Sequence, residues 1–167
     1  MAKQLRAENL HHLTAVYVQV GGGAFAASLS RGLSESGFDV PLVAVQTAGC
    51  APLERAWKSA QDVADCASEW ATHMWPWEEP PASLADGILD DETYDWVADT
   101  QQLRCTNGRV VVAQEEDVVR AASMGPNLTA IQSSATGTAG LAGLLSERAV
   151  TGDSDRVALV LSGISRH

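Results

Sequence analysis

Gly21, Gly22 and Gly23 stand directly after the apolar run TAVYVQV (14–20) and directly before AFAASLSRGLSE (24–35). Three residues without side chains at the end of a buried strand let backbone N–H groups close around an anion. The positive end of a following helix points at the same spot, and the chemistry this suits is phosphate binding. The spacing is neither the dinucleotide G-x-G-x-x-G nor the nucleotide G-x-x-x-x-G-K pattern. A hydroxyl, that of Ser162, precedes Gly163 at the end of the last apolar run, RVALVL (156–161). In an open parallel sheet ligands bind outside the carboxyl ends of the strands, so Gly21, Gly22, Gly23, the backbone of Ala24, and Ser162 form the candidate site.

Other reactive residue types have plainer readings. Cys50, Cys66 and Cys105 form no CxxC or Cys/His pairing and read as reduced, mostly structural thiols. His11, His12 and His73 lack neighbouring metal ligands, and Asp90-Asp91-Glu92 lacks the glycine and distal glutamate of a calcium loop. That acidic cluster reads as a solvated helix start, and no metal is expected. The chain has two lysines, Lys3 in a polar leader and Lys58 on a helix beside Arg55, Ser59, Gln61 and Asp62. Neither has apolar surroundings that would lower its pKa, so both read as surface charges.

The elements that must position the site follow from apolar periodicity. Strands are predicted at 14–20, 40–46, 109–113 and 156–161. Helices are predicted at 24–35, ending at Gly37, at about 53–70, over most of 84–103, at 114–124 before a Gly-Pro-Asn break, and at 133–148. The segment 72–83, with two tryptophans and three prolines, is expected to be an ordered loop. Strands alternating with helices imply parallel pairing with right-handed crossovers, hence an α/β fold with a mostly parallel sheet.

A length of 167 residues suits one domain, 1–167, with 1–13 as a polar leader. Hydrophobic residues make up 46% and charged residues 19%, a globular balance. No run approaches the ~20 apolar residues of a membrane span, and the start MAKQLRAENLHH lacks the apolar centre of a secretory signal, so a cytoplasmic location is expected. A net charge of -10 argues against nucleic acid or anionic lipid as a partner.

The segments VQVGGGAFAAS, VAVQTAGCAPLERA, ADGI, GRVVVAQEEDVVRAA, QSSATGTAGLAGLL and DRVALVLSGI occur in one order from about Thr14 to Ile164. In that order they resemble the C-terminal half of fold-type II pyridoxal-phosphate enzymes, the tryptophan synthase β superfamily. ADGILDDETYDW and MWPWE look most like threonine synthase and its dehydratase relatives. The resemblance implies a three-layer α/β/α domain equivalent to the later part of the large domain, and pyridoxal 5′-phosphate as cofactor. It maps the cofactor phosphate onto Gly21, Gly22, Gly23 and the backbone of Ala24, and the pyridine nitrogen onto Ser162. A neutral hydroxyl there leaves the ring nitrogen unprotonated, as suits elimination or replacement at the β or γ carbon of an amino acid.

The departures are equally informative. Family members hold the cofactor on a lysine well before the glycine loop, beside a loop that grips the substrate carboxylate, and this chain has neither. Ala24 stands where many relatives have a fourth glycine, and Gln132 precedes SSATG where dehydratase-like relatives have glutamate. The expectation is a lyase-type cofactor-binding half that is inactive alone, or is complemented by a chain supplying the N-terminal half and the amino-acid substrate contacts. A noncatalytic pseudoenzyme or oligomerisation module is the alternative. An exposed apolar face is expected to make the chain self-associate.

Overall fold

The four apolar runs become strands β1 (Ala15–Gln19), β2 (Leu42–Thr47), β3 (Arg109–Ala113) and β4 (Val157–Leu159) in a computed structural model that describes residues 1–8, 10, 12–147 and 155–164. All three pairings are parallel, in the order β3-β2-β1-β4. Because side chains alternate across a strand, Val16, Val18, Leu42 and Ala44 enter one core while Tyr17, Val43, Val45 and Val111 enter the other. Helices α1 (Ala2–Ala7), α2 (Ala24–Glu35), α3 (Pro52–Ser59) and α5 (Trp96–Cys105) cover the first face through Leu5, Leu33, Leu53 and Trp96. The other face is covered by α6 (Glu115–Thr129) and α7 (Ala139–Ser146), through Val118, Ala121, Ala139 and Ala142. The fold is therefore three-layer α/β/α, with a short helix α4 (Trp70–His73) at its edge.

Helix α2 has the bounds its sequence implies. Its C-terminus closes with Phe38 N–H donating to the Leu33 carbonyl and Gly37 N–H to that of Ser34, with Gly37 at φ +78°. Elsewhere tertiary partners shorten or lengthen the expected helices. The helix expected over 53–70 stops at Ser59, because the Ala60 carbonyl accepts from the Arg104 guanidinium and the Asp65 carboxylate turns the chain by accepting from the N–H groups of Ala67 and Ser68. The helix expected over 84–103 is a 3₁₀ turn at Asp86–Ile88 followed by α5. Between them the backbone is claimed from outside: the Asp90 carbonyl accepts from Cys50 Sγ, the Asp91 carbonyl from Trp77 N–H, and Asp95 N–H donates to the Gly22 carbonyl.

Helix α6 runs through the expected break at Gly125-Pro126-Asn127 and ends at Thr129, capped by Ala130, whose φ is +59°. Pro126 removes a single intrahelical donor, and Gly125 packs against Thr138, where a Cβ would come within 2.6 Å of Cγ2. The helix expected over 133–148 is confined to α7, because Ser133 bridges Ile164 and residues 134–138 turn; Arg148 and His11 lie outside the described residues. The polar leader carries α1, whose Leu5 is buried. The expected loop at 72–83 begins after α4 and is pinned by Arg55, whose guanidinium lies 3.9 Å from the Trp75 ring centroid and 5.4 Å from that of Trp77. No helix among the described residues is long and apolar enough to cross a membrane.

Candidate functional site

Strand order determines where a site can form. From β1 the chain passes to β2 and then β3 on one side, and it returns to place β4 on the other side of β1. The connection leaving β1 therefore runs toward β2 and away from β4, and in a parallel sheet such a reversal of strand order leaves a crevice at the carboxyl ends of the two neighbouring strands. A cleft of about 510 Å³ lies there, lined by Gly21, Gly22, Gly23 and Ala24 from the end of β1 and by Ser162 from beyond β4. The five residues singled out in the sequence are brought to one cleft.

Each wall has a local cause. Gly23 caps α2 at φ +99°, a conformation residues with a Cβ rarely adopt, and a Cβ there would overlap the Asp99 carboxylate. No side chain caps α2, so its first N–H groups have no intrahelical acceptor and face the cleft end of the helix. On the opposite side, the Ser162 turn is held by the SSATG segment: Ser162 N–H donates to the Gly137 carbonyl and Ser134 N–H to that of Gly163. A Cβ at Gly137 would come within 2.6 Å of both the Ser162 and Gly163 carbonyl oxygens, so only glycine lets the turn seat this closely. Arg109 holds α7 to the sheet through a two-pronged pair with Glu147 at 2.7 Å, with the Tyr17 hydroxyl donating to the same carboxylate.

Several lining residues carry no clear site signal in the sequence. Gln19, the last residue of β1, is 5% exposed and donates from Nε2 to Ser162 Oγ, while its Oε1 has no hydrogen-bond partner. Its one signal is a single amide inside an otherwise apolar strand. Asp90, expected at a helix start, lies instead in the irregular segment before α5, and its carboxylate stands 2.5 Å from where a Gly21 Cβ would be. Asp95 also lines the cleft. Beneath Gly23, Asp99 is fully buried, and burial, reinforced by the charge of Asp95 and opposed by the Ala27 backbone N–H, pushes its carboxyl up to about 8. Burial, then the charges of Asp91 and Asp90, likewise push the Cys50 thiol up to about 11, against the opposing charge of Arg55. Neither lysine reaches the cleft: Lys3 is exposed on α1 and Lys58 pairs with Glu54 on α3.

The profile of the family described as pyridoxal-phosphate dependent enzyme matches residues 1–163. The chain belongs to the pyridoxal-phosphate dependent enzymes. Among solved structures, a threonine deaminase from T.th. superposes with a TM-score of 0.76 at 21% identity, over 98% of this chain and 54% of that one. A serine racemase from Dictyostelium discoideum gives 0.73 at 17%, over 99% and 48%, and an L-serine ammonia-lyase from Rhizomucor miehei gives 0.67 at 16%, over 98% and 50%. At these identities the likeness is one of fold. The chain spans about half the length of these solved relatives. No curated protein sequence matches it significantly.

Pyridoxal 5′-phosphate is the cofactor of this family, and the residues present suit it at two ends. The glycine loop offers backbone donors and space that any Cβ would fill, which fits a phosphate. Ser162, across the cleft, offers a neutral hydroxyl to a ring nitrogen. Among the described residues no lysine or arginine lines the cleft, so a group to hold the cofactor covalently is absent from this wall.

Proposed function

We propose that this chain is the cofactor-binding C-terminal half of a pyridoxal-phosphate lyase of the dehydratase or threonine synthase type, completed by a lysine-bearing polypeptide. The observation that carries the reading is the joint lining of one cleft by Gly21, Gly22, Gly23, Ala24 and Ser162, with Lys3 and Lys58 both outside it. When bound, the cofactor supplies an electron sink for carbanion chemistry at an amino-acid substrate. The residues of this chain bind and orient. The glycine loop and the start of α2 would hold the phosphate through backbone N–H groups, which need no reorganisation on binding. Ser162 would meet the ring nitrogen with a neutral hydroxyl, keeping that nitrogen unprotonated and suiting elimination or replacement at the β or γ carbon over chemistry that demands a stronger sink. The names of the matched structures, threonine deaminase, serine racemase and L-serine ammonia-lyase, favour hydroxyl-bearing amino acids as the substrate class.

The test is a titration of the purified chain with pyridoxal 5′-phosphate, followed by mixing with lysine-bearing N-terminal halves of such enzymes. Saturable binding that Gly23→Ala abolishes is expected, with an absorption band that borohydride fixes to lysine only after mixing. Absence of saturable binding in either setting refutes the reading. The alternative, a noncatalytic interaction module, is favoured by the exclusion of both lysines from the cleft. It predicts assembly with a partner that is indifferent both to the cofactor and to Ser162→Ala.

A further inference from the structure

Strand β1 is fully buried, and every residue in it except one is apolar or aromatic. The exception is Gln19, which lies at the cleft end with 5% of its surface exposed. Its amide is poorly placed for stability. Nε2 donates to Ser162 Oγ, yet Oε1 is buried with no hydrogen-bond partner, and leaving a buried acceptor unpaired is unfavourable. Helix α7 seals this oxygen from water: a Cβ at Gly140 would stand 3.2 Å from the Tyr17 carbonyl oxygen and 3.6 Å from Gln19 Oε1. An apolar side chain of the same length would fill this position without an orphaned oxygen. A polar residue that breaks the strand's pattern and leaves half its amide unpaired is the kind of local inconsistency that marks function.

The function follows from counting donors. A serine hydroxyl has one proton to give and two lone pairs to accept with. The Gln19 N–H occupies a lone pair of Ser162 Oγ, so the hydroxyl proton must find its acceptor elsewhere, and the cleft is the open direction. We infer that Gln19 is a positioning residue that fixes Ser162 as a hydrogen-bond donor into the cleft, and so tunes the site to an unprotonated ring nitrogen. Without Gln19 the hydroxyl rotates freely, and it serves a pyridinium N–H as acceptor as readily as it serves a neutral nitrogen as donor. The inference rests on the placement of the ring nitrogen at Ser162 proposed above.

The experiment uses ring-¹⁵N-labelled 4-deoxypyridoxine 5′-phosphate, which keeps the ring, nitrogen and phosphate but has no aldehyde, so binding requires no lysine. The ¹⁵N resonance of the bound probe is followed against pH in the full chain, in Gln19→Met, in Ser162→Ala and in the double variant. In the wild type the ring nitrogen is expected to stay unprotonated at neutral pH. Gln19→Met, which preserves length and removes the donor, is expected to raise the proton affinity of the ring nitrogen about tenfold, the worth of one directed hydrogen bond. In the Ser162→Ala background the same substitution is expected to do nothing. Asp90, Tyr94 and Asp95, the titratable side chains lining the cleft, are common to all four proteins and cancel from the comparison.

Gln19→Met is also expected to melt no lower than the wild type, which separates positioning from a structural role. A protonated ring nitrogen in the wild type, an unchanged titration in Gln19→Met, or an equal shift with and without Ser162 overturns the inference while leaving cofactor binding intact. Failure of the wild-type chain to bind the probe overturns the proposed function and this inference together.

Discussion

Replacing Asp99 by asparagine isolates the effect of one proton on this fold. Asp99 sits under the glycine loop, fully buried, with the Ala27 N–H nearby but neither carboxylate oxygen in a formed hydrogen bond, and with the Asp95 carboxylate close enough to disfavour a second charge. Burial and that neighbour push its carboxyl to about 8 in the folded chain, against about 3.9 when unfolded. Between those values the folded state holds a proton that the unfolded state has released. Stability therefore falls as pH rises through the window, by up to about 1.4 kcal/mol per unit, and levels off above it. Over the whole window the loss is about 6 kcal/mol, a large fraction of a typical domain's stability, and even half of that is measurable. The asparagine side chain cannot ionise, so urea unfolding followed by tryptophan fluorescence from pH 4 to 9 should give two curves that meet near pH 4 and diverge above it, with Asp99→Asn the more stable. Every other group titrates in both proteins. Parallel curves would refute the assignment of a neutral carboxylic acid to this position. The same proton bears on the site: above about pH 8 the ionised Asp99 opposes a phosphate in the loop, so binding of a pyridoxal phosphate analogue should weaken there in the wild type and not in Asp99→Asn.

Other expectations follow from single contacts. Gly137→Ala drives a methyl into the Ser162 and Gly163 carbonyls and should cost about 1–3 kcal/mol of stability while weakening deoxypyridoxine phosphate binding at least tenfold, both read by titration and melting. Arg55→Ala removes the cation from two indole faces and a donor from the Trp75 carbonyl; a loss of about 1–3 kcal/mol, a red-shifted tryptophan emission and faster proteolysis within 75–83 are expected, and an unchanged emission spectrum would contradict the pinned loop. Leu128, Ile131 and Ile164 are 69%, 53% and 67% exposed, and the last two line a groove with Leu161, so sedimentation should show self-association that Ile164→Lys reduces. A monomer at all concentrations would sink that expectation.

The strands were legible because a buried parallel strand reads as an uninterrupted apolar run between polar or glycine punctuation, as VYVQVGGG and GRVVVA do. Helix α2 was legible at both ends for a related reason, with glycine at 23 and at 37 marking where the chain must leave ordinary backbone geometry. The helices expected at 53–70, 84–103, 114–124 and 133–148 are present as α3, α5, α6 and α7, but with other bounds, and those bounds are set largely by contacts remote in sequence. Arg104 takes a carbonyl of the first, Cys50, Trp77 and Gly22 take the backbone of the second, the third continues through Pro126 with Gly125 packed on Thr138, and Ile164 draws Ser133 out of the fourth. Gln19 and Asp99 escaped notice because their roles are set by what buries them. A glutamine in a strand and an aspartate in a helix have no signature until α7 covers the one and the glycine loop covers the other.

The electrostatics of the cleft constrain how much of the cofactor this chain can hold unaided. A pyridoxal phosphate carries about two negative charges on its phosphate near neutral pH. The lining opposes them with no cation among the described residues and adds Asp90 and Asp95 at the loop itself. Backbone N–H dipoles and a helix terminus offset only part of this, since such a terminus is equivalent to about half a unit charge. The raised carboxyl of Asp99 works in the same direction: kept neutral, it adds no third anion beneath Gly23. On the proposed function the missing positive charge comes from the lysine-bearing polypeptide, and the affinity of this chain for the phosphate should then rise when that polypeptide binds, by the same factor with which the cofactor tightens the pairing of the two.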